Sequence, residues 1–475
     1  MSDLLTTDLC IIGAGAGGLS VAAGASQMGA ATLLIERHHM GGDCLNTGCV
    51  PSKALLAAAH AAHTIRSAHR FGITTQPPLI DMERVHAHVH GVIAAIAPHD
   101  SVERFTGLGV KVIPSTGQFI GPRELLAGAT RIRARRFVIA TGSRPRIPAI
   151  SGLATTPFFT NETLFANREP LPHLLILGGG PIGLEMAQAH RRLGSQVTVV
   201  EQATLLPREE PELVATLRDA LLAEGVALHV GATVQQVEHA ASGITLLTQT
   251  STGEKVRITG THLLVATGRS PNLEDINLDA AGVAFTPAGI TVDDRLRTSN
   301  HRIFALGDVT GPYLFTHMAS YQAGIVLRNA LFRLPARVDY RVVPRITYTD
   351  PELAQVGLTE KAARERGGPI RVLTKPFAEN DRARAEGKTM GLIKVVTGRR
   401  GHILGAGLVG PQAGELLAPW ILAIQKGLRI GDMAGCLLPY PTLGEIGKGV
   451  AGSYFTQTLF SNKTRGLVKL LAMFG

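Results

Sequence analysis

Cys44 and Cys49, in the segment GGDCLNTGCVPSK, stand five positions apart and offer the sharpest chemistry in the chain. Pro51 suits a first helical turn, and the alanine-rich run behind it reads as a long helix, so Cys49 falls at a helix N-terminus. That position, with Lys53 one turn on, favours thiolate over thiol, and the four intervening residues allow a disulfide to close. Two inert buried thiols, or half of a metal site, are the other readings. The remaining cysteines, Cys10 and Cys436, make no second pair to complete a zinc site, so the pair reads as a redox dithiol.

A dithiol that turns over needs an electron source, and an internal repeat supplies candidates. LCIIGAGAGG runs an apolar strand into Gly13, Gly15 and Gly18; LLILGGGPIG does the same with Gly178, Gly180 and Gly183. Each continues into a helical stretch and a second strand tipped by an acid, Glu36 and Glu201, both 23 residues after the first glycine. The first glycine makes the tight turn, the second lets a pyrophosphate approach the backbone, and the third lets helix pack on strand. The acid accepts from a ribose diol, so both copies read as dinucleotide sites. A second echo closes each unit: Ala140-Thr141-Gly142 in FVIATGSRP and Ala266-Thr267-Gly268 in LLVATGRSP, each after alternating residues that suggest a β-meander. IFALGDVTG then brings Asp308 to the end of another apolar strand, where a carboxylate can hold a sugar or ribityl hydroxyl.

These motifs divide the chain into 1–149, a first nucleotide domain with the CxxxxC pair; 150–268, a second nucleotide domain; 269–340, a return to the first; and 341–475, an interface domain. The fold class expected is α/β: two Rossmann-like domains plus a C-terminal α+β domain. In the last region IKVVTGRRGHILGAGLVG reads as a hairpin turning at Gly398 to Gly401, followed by helical stretches in GELLAPWILAIQKGL and near GEIGKGVAGSYF. A large region without a nucleotide fingerprint suits a homodimer interface.

Composition agrees. A chain of 475 residues with 45% hydrophobic and 18% charged residues supports several buried cores and excludes wholesale disorder. The apolar stretch Leu9–Ala31 is broken by six glycines and has no basic segment before it, so neither a membrane span nor a signal peptide is expected, and a cytoplasmic location is. The net charge of +10 raises nucleic acid as a partner, but the densest cluster, Arg131, Arg133, Arg135 and Arg136, reads as a strand with one solvated face and lacks stacking aromatics. His60, His63, His86, His88 and His90 lie without an accompanying acid or cysteine cluster, so no metal site is expected. The tail KTRGLVKLLAMFG alternates cations with apolar residues; packing on a dimer is the expectation, peripheral membrane contact the alternative.

Through GGDCLNTGCVPSK, VPRITYTDPELAQVGLTE and the two nucleotide fingerprints, nearly the whole chain resembles the class I pyridine nucleotide-disulfide oxidoreductases, among them dihydrolipoamide dehydrogenase, glutathione reductase and mercuric reductase. The resemblance implies FAD and a nicotinamide cofactor, with electrons passing from nicotinamide to flavin to disulfide. It implies that Cys49 faces the flavin, that Cys44 meets substrate, and that Lys53 pairs with Glu185 near the flavin. FAD would rest on Gly13, Gly15, Gly18, Glu36, Gly117, Thr141, Gly142, Ser143 and Asp308, with His317 as a further contact. The nicotinamide nucleotide would use Gly178, Gly180, Gly183, Glu185, Glu201, Val234 and Gly268. An acid at Glu201 repels a 2′-phosphate and so favours NADH over NADPH, although Arg208 lies seven residues on.

One position departs from the pattern. Thiol-disulfide members of the family carry His-Pro-Thr with a glutamate five residues after the histidine, and that histidine is the general base for the dithiol. Here PYPTLGE puts Tyr440 in its place and keeps Glu445. A phenol is a poor base at neutral pH, which tilts the resemblance toward mercuric reductase, where a tyrosine stands at the matching place and a metal-thiolate needs no such proton shuttle. The tail, however, lacks the paired cysteines that hand over Hg(II), and no N-terminal heavy-metal-binding domain is expected. Cys436, four residues before Tyr440, is expected to be a buried structural thiol. A redox-sensing or lipoyl-protein-binding flavoprotein with low turnover is the alternative function.

Overall fold

The computed structural model describes residues 4–474, which divide into two compact units: 4–178, Arg192–Val200 and Ala232–Val338 in one, and Gly179–Arg191, Glu201–Gly231 and 339–474 in the other. The architecture is α/β, as the motifs require.

The first unit is built around the strand Leu4–Ile12, which pairs in parallel with Thr32–Glu36 on one side and Thr130–Ile139 on the other. Leu9, Cys10, Ile11 and Ile12 are all buried, because both faces of a parallel sheet are covered and a continuous apolar run is stable there. Val110–Pro114 adds beyond Thr32–Glu36, and Ile303–Ala305 joins Thr130–Ile139, so the strand leading to Asp308 completes this sheet. Helix Ala16–Gln27 packs closely on helix Thr316–Ala330. A Cβ at Gly17 would stand 3.2 Å from the Ala319 methyl, and one at Gly24 would stand 2.5 Å from a Leu327 methyl.

The two β-meanders differ in how they attach. Gly117–Gly121 and Glu124–Ala127 pair in antiparallel fashion and run into Thr130–Ile139, one uninterrupted strand that carries the meander into the main sheet. The second meander, Ala232–Ala240, Gly243–Thr250 and Lys255–Gly260, forms its own three-stranded sheet. The chain breaks at Gly260, where a Cβ would press to 2.6 Å on Leu175, and resumes as His262–Val265 beside His173–Leu177. On the first meander Glu124 bonds both Arg131, at 2.8 Å from Nε, and Arg133, at 3.0 Å, so these arginines belong to a paired, solvent-facing strand.

In the second unit a five-stranded antiparallel sheet runs in the order Arg345–Thr347, Glu352–Gly357, Ile403–Gly410, Leu392–Thr397, Arg371–Pro376. Its core holds Trp420 and Phe377, both fully buried. The hairpin turns through 398–402, closed by Gly398 N donating to His402 O at 2.8 Å. The expected helical stretches form Ala413–Leu416, Ala418–Lys426 and Glu445–Leu459. Lys394 is buried, and its Nζ lies 3.0, 2.9 and 2.8 Å from Glu210, Glu212 and Glu360, which ties helix Pro211–Ala223 to the sheet. No described helix is long and apolar enough to cross a membrane.

Candidate active site

The redox segment folds as two helices in tandem. Cys44 lies in the short helix Gly42–Asn46, and Cys49 is the first residue of Cys49–Ser67. The longer helix thus begins two residues before Pro51, which puts Cys49 in its first turn. The Cys44 thiol donates a hydrogen bond to Cys49, and Thr316 Oγ1 lies 3.3 Å from Cys49 Sγ. Against a thiolate that hydroxyl is the donor. These two bonds, helped by the charge of Lys53, overcome the effect of burial and pull Cys49 down to about 6. Cys44 moves the opposite way, its thiol form held by the bond to Cys49 and by burial. The pair is thus polarised, one sulfur charged and one protonated. Cys10, in the strand core, is pushed up by burial and is inert by contrast.

A polar network fixes the segment between the two sulfurs. Asp43 Oδ1 accepts from Thr47 Oγ1 at 3.0 Å and from Asn161 Nδ2 at 2.9 Å, and its Oδ2 lies 3.2 Å from Arg269 Nη2. The Arg269 side chain is only 10% exposed and reaches on to Ser143, with Nε donating to Oγ at 2.7 Å. Ser143 Oγ donates to Asp308 Oδ2 at 2.6 Å, while burial holds the Asp308 carboxyl above its ordinary range. Four side chains from separated segments, Asp43, Arg269, Ser143 and Asp308, thereby link the dithiol loop to the carboxylate just past Ile303–Ala305.

The two glycine-rich turns share one geometry. Gly13 has φ +102° and Gly178 φ +114°; a Cβ on either would stand 2.4 Å from a carbonyl of the matching Ala-Thr-Gly echo, Ala140 and Ala266 respectively. At Gly15 and Gly180 a Cβ would meet nothing, so these positions present open backbone. A Cβ at Gly18 would run into the Gly13 carbonyl and the Ile11 side chain, and Gly183 is buried in its helix. The Glu36 carboxylate accepts from Ala14 N at 2.7 Å and His38 N at 2.8 Å; that of Glu201 accepts from Gly179 N at 2.7 Å and Ala203 N at 2.8 Å. Each acid is thus held over its own turn, with lone pairs left for a diol.

A cleft opens along the first turn, lined among others by Gly13, Glu36, Gly117, Thr141 and Asn272. Open backbone beside Gly15 and an anchored acid along this cleft fit the adenosine half of a dinucleotide. Gly142, at φ +70°, accepts from Asn272 N at 3.0 Å, and the Thr141 hydroxyl donates to Asn272 O at 2.9 Å. His317 stacks on Phe315, ring centroids 5.1 Å apart, at the start of helix Thr316–Ala330.

The other expected site residues are spread over both units. Lys53 Nζ lies 3.3 Å from Ser52 Oγ in the first unit. In the second, Glu185 is buried and accepts from Tyr348 N at 2.9 Å. Val234 sits in strand Ala232–Ala240, packed against that region's core, and Gly268, at φ +119°, accepts from Arg146 N at 3.0 Å. Tyr440 is 70% exposed; its hydroxyl donates to Asp381 Oδ2 at 3.1 Å, which raises its pKa further. Glu445 opens helix Glu445–Leu459 and its Oε2 accepts from Thr442 N at 3.3 Å. Cys436 corrects an expectation. It is exposed rather than buried, because the chain leaves helix Ile430–Ala434 just before it, and its thiol lies 3.4 Å from Asp432 O.

Sequence reasoning missed Arg269, Asn272, Asn161, Asp43 and Thr316. Arg269 and Asn272 follow the second Ala-Thr-Gly echo directly and Thr316 precedes His317, so adjacency to a named motif was the only signal.

Residues 7–324 match the family described as pyridine nucleotide-disulphide oxidoreductase, and residues 343–451 match that family's dimerisation domain. The chain belongs to this family. The family is FAD- and NAD(P)H-dependent, and the chain is accordingly an oxidoreductase. A mercuric reductase of Streptomyces lividans is 35% identical over 94% of this chain and 96% of its own length. A dihydrolipoyl dehydrogenase of Thermus scotoductus is 37% identical over 93% and 95%. Among solved structures, LpdA of Mycobacterium tuberculosis superposes with a TM-score of 0.86 at 26% identity, and the HOCl-induced flavoprotein disulfide reductase RclA of Escherichia coli with 0.84 at 28%; each covers 94% of this chain and 99% of its own.

Proposed function

We propose that the chain relays two electrons from NADH through bound FAD to the Cys44–Cys49 disulfide, and from there to a disulfide or a thiol-bound metal. The observation that carries this reading is the polarised pair: Cys49 drawn to about 6 at a helix start, Cys44 kept as the thiol. FAD, when bound, supplies the step from hydride to electron pair. The balance is a hydride against an S–S bond. Its two electrons break the bond, its proton stays on Cys44, and Cys49 leaves as the thiolate that Thr316, Cys44 and Lys53 are placed to stabilise.

In this reading Gly13, Gly15, Gly18, Glu36, Gly117, Thr141, Gly142, Ser143, Asp308 and His317 hold FAD. Gly178, Gly180, Gly183, Glu201, Val234 and Gly268 hold NADH, Lys53 and Glu185 serve the flavin edge, and the chain works as a homodimer. Glu201 supports NADH, since its carboxylate is committed to the turn by two backbone bonds and would repel a 2′-phosphate. The division 1–149, 150–268, 269–340 and 341–475 goes with these assignments.

Tyr440 separates the acceptor classes. Its phenol is exposed, donates to Asp381 and has a raised pKa, so it is a poor base for a dithiol. That favours a metal held by Cys44, and RclA, whose structure is also known as a Cu(II) complex, is a relative for which a metal complex exists. Stopped-flow reoxidation of the NADH-reduced protein by dihydrolipoamide's disulfide, glutathione disulfide, Hg(II), Cu(II) or a quinone, repeated with NADPH, tests the reading. Fast reoxidation by a metal–thiol complex is expected; slow reoxidation by every acceptor would leave a redox sensor instead.

A further inference from the structure

Helix Asn462–Leu471 lies beyond the residues that match the dimerisation domain, which end at 451. Ser461 caps it, Oγ accepting from Thr464 N at 3.2 Å, and none of its residues is buried. At 100° per residue Leu467, Val468, Leu470 and Leu471 share one side, and Arg465 and Lys469 stand opposite. Lys463 falls within the apolar side, between Leu470 and Leu467, where a long stem can lie along hydrocarbon while its ammonium reaches water. The apolar residues are more than half exposed, from Leu470 at 52% through Leu467 at 53% to Phe474 at 81% just past the helix.

The charge around this face is one-sided. Between Ile446 and Gly475 the sequence holds Lys448, Lys463, Arg465 and Lys469 and no Asp or Glu. A second copy of the same helix would bring the same cations and no acid to pair with them. A bilayer with anionic headgroups answers both halves: acyl chains for the leucine face, and negative surface potential for the basic one. A helix of ten residues is too short to span.

We propose that Asn462–Leu471 is a peripheral membrane contact that lies in the plane of an anionic bilayer surface. The site rests on its own residues and does not depend on which acceptor the dithiol serves.

The test is sedimentation of the full-length, FAD-loaded protein with vesicles of phosphatidylcholine alone or mixed with phosphatidylglycerol. Partitioning onto the anionic vesicles should exceed that onto the neutral ones by at least tenfold, at about fivefold per cation engaged, and should fall in high salt. R465Q/K469Q should lose about 20-fold by the same scale, and L467D/L471D should abolish binding, with NADH-dependent flavin reduction unchanged in both. Equal partitioning onto both vesicle types would overturn the proposal. So would a wild-type protein that binds neither while L467D/L471D, sized by light scattering, falls from dimer to monomer, which would give the face to a second copy.

Discussion

The Cys49 thiolate depends on a small number of donors, and Thr316 is the one that can be removed without touching the redox pair. Its hydroxyl lies 3.3 Å from Cys49 Sγ, and Cys49 sits at about 6, so at pH 7 there are roughly ten thiolates per thiol. A hydrogen bond to a charged group is worth about 1.5–3 kcal/mol, and one pKa unit is about 1.4 kcal/mol. Thr316→Val should therefore raise Cys49 by about one to two units, and the thiolate share at pH 7 should drop to between about half and a tenth. The sign is fixed: a depressed thiol loses its anion when a donor is lost. Peptide-resolved alkylation of the reduced protein with iodoacetamide, as a function of pH, reads this at Cys49 alone and sets aside the exposed Cys436. Thr316→Ser keeps the hydroxyl and should keep the wild-type inflection. An inflection in Thr316→Val that stays within about 0.3 unit of wild type, or moves down, would refute the account of how the thiolate is held.

Arg269→Met leaves Asp43 and Asp308 without their shared cation. With the Asp43 side chain 37% exposed, the cost is discounted to about 2 kcal/mol, read as a fall of about 2 °C in the melting midpoint of the FAD-loaded protein. The same variant should raise the Cys49 inflection, because the Asp43 charge already acts in that direction, and Arg269→Lys should restore part of both. Tyr440→His, beside the retained Glu445, should raise dihydrolipoamide oxidation by about 100-fold; unchanged turnover would mean that the pocket is not built for a dithiol.

What the sequence disclosed follows from how local each signal is. The strand–turn–helix–acid units were legible twice over because each acid stands 23 residues after the glycine that ends its strand, and the matching bonds of Glu36 to Ala14 and Glu201 to Gly179 follow from that equal spacing. The helix at Cys49 was legible through Pro51 and the alanine run. The Asp43–Arg269–Ser143–Asp308 network was not, since its members come from four separated segments and carry no periodic pattern. Nor was the differing attachment of the two meanders, which turns on one glycine packed against Leu175. Cys436 was misjudged because its residue type predicts burial while its place after a short helix decides exposure.

The central claim is that the thiolate at Cys49 lies against the flavin. Cys44→Ser removes the partner sulfur and leaves Cys49 unable to close a disulfide, so the yellow, FAD-loaded variant titrated by absorbance tests it most directly. A long-wavelength charge-transfer band at pH 8 that bleaches as the pH is lowered is the predicted result. A fully FAD-loaded variant with no such band at pH 8 would contradict it.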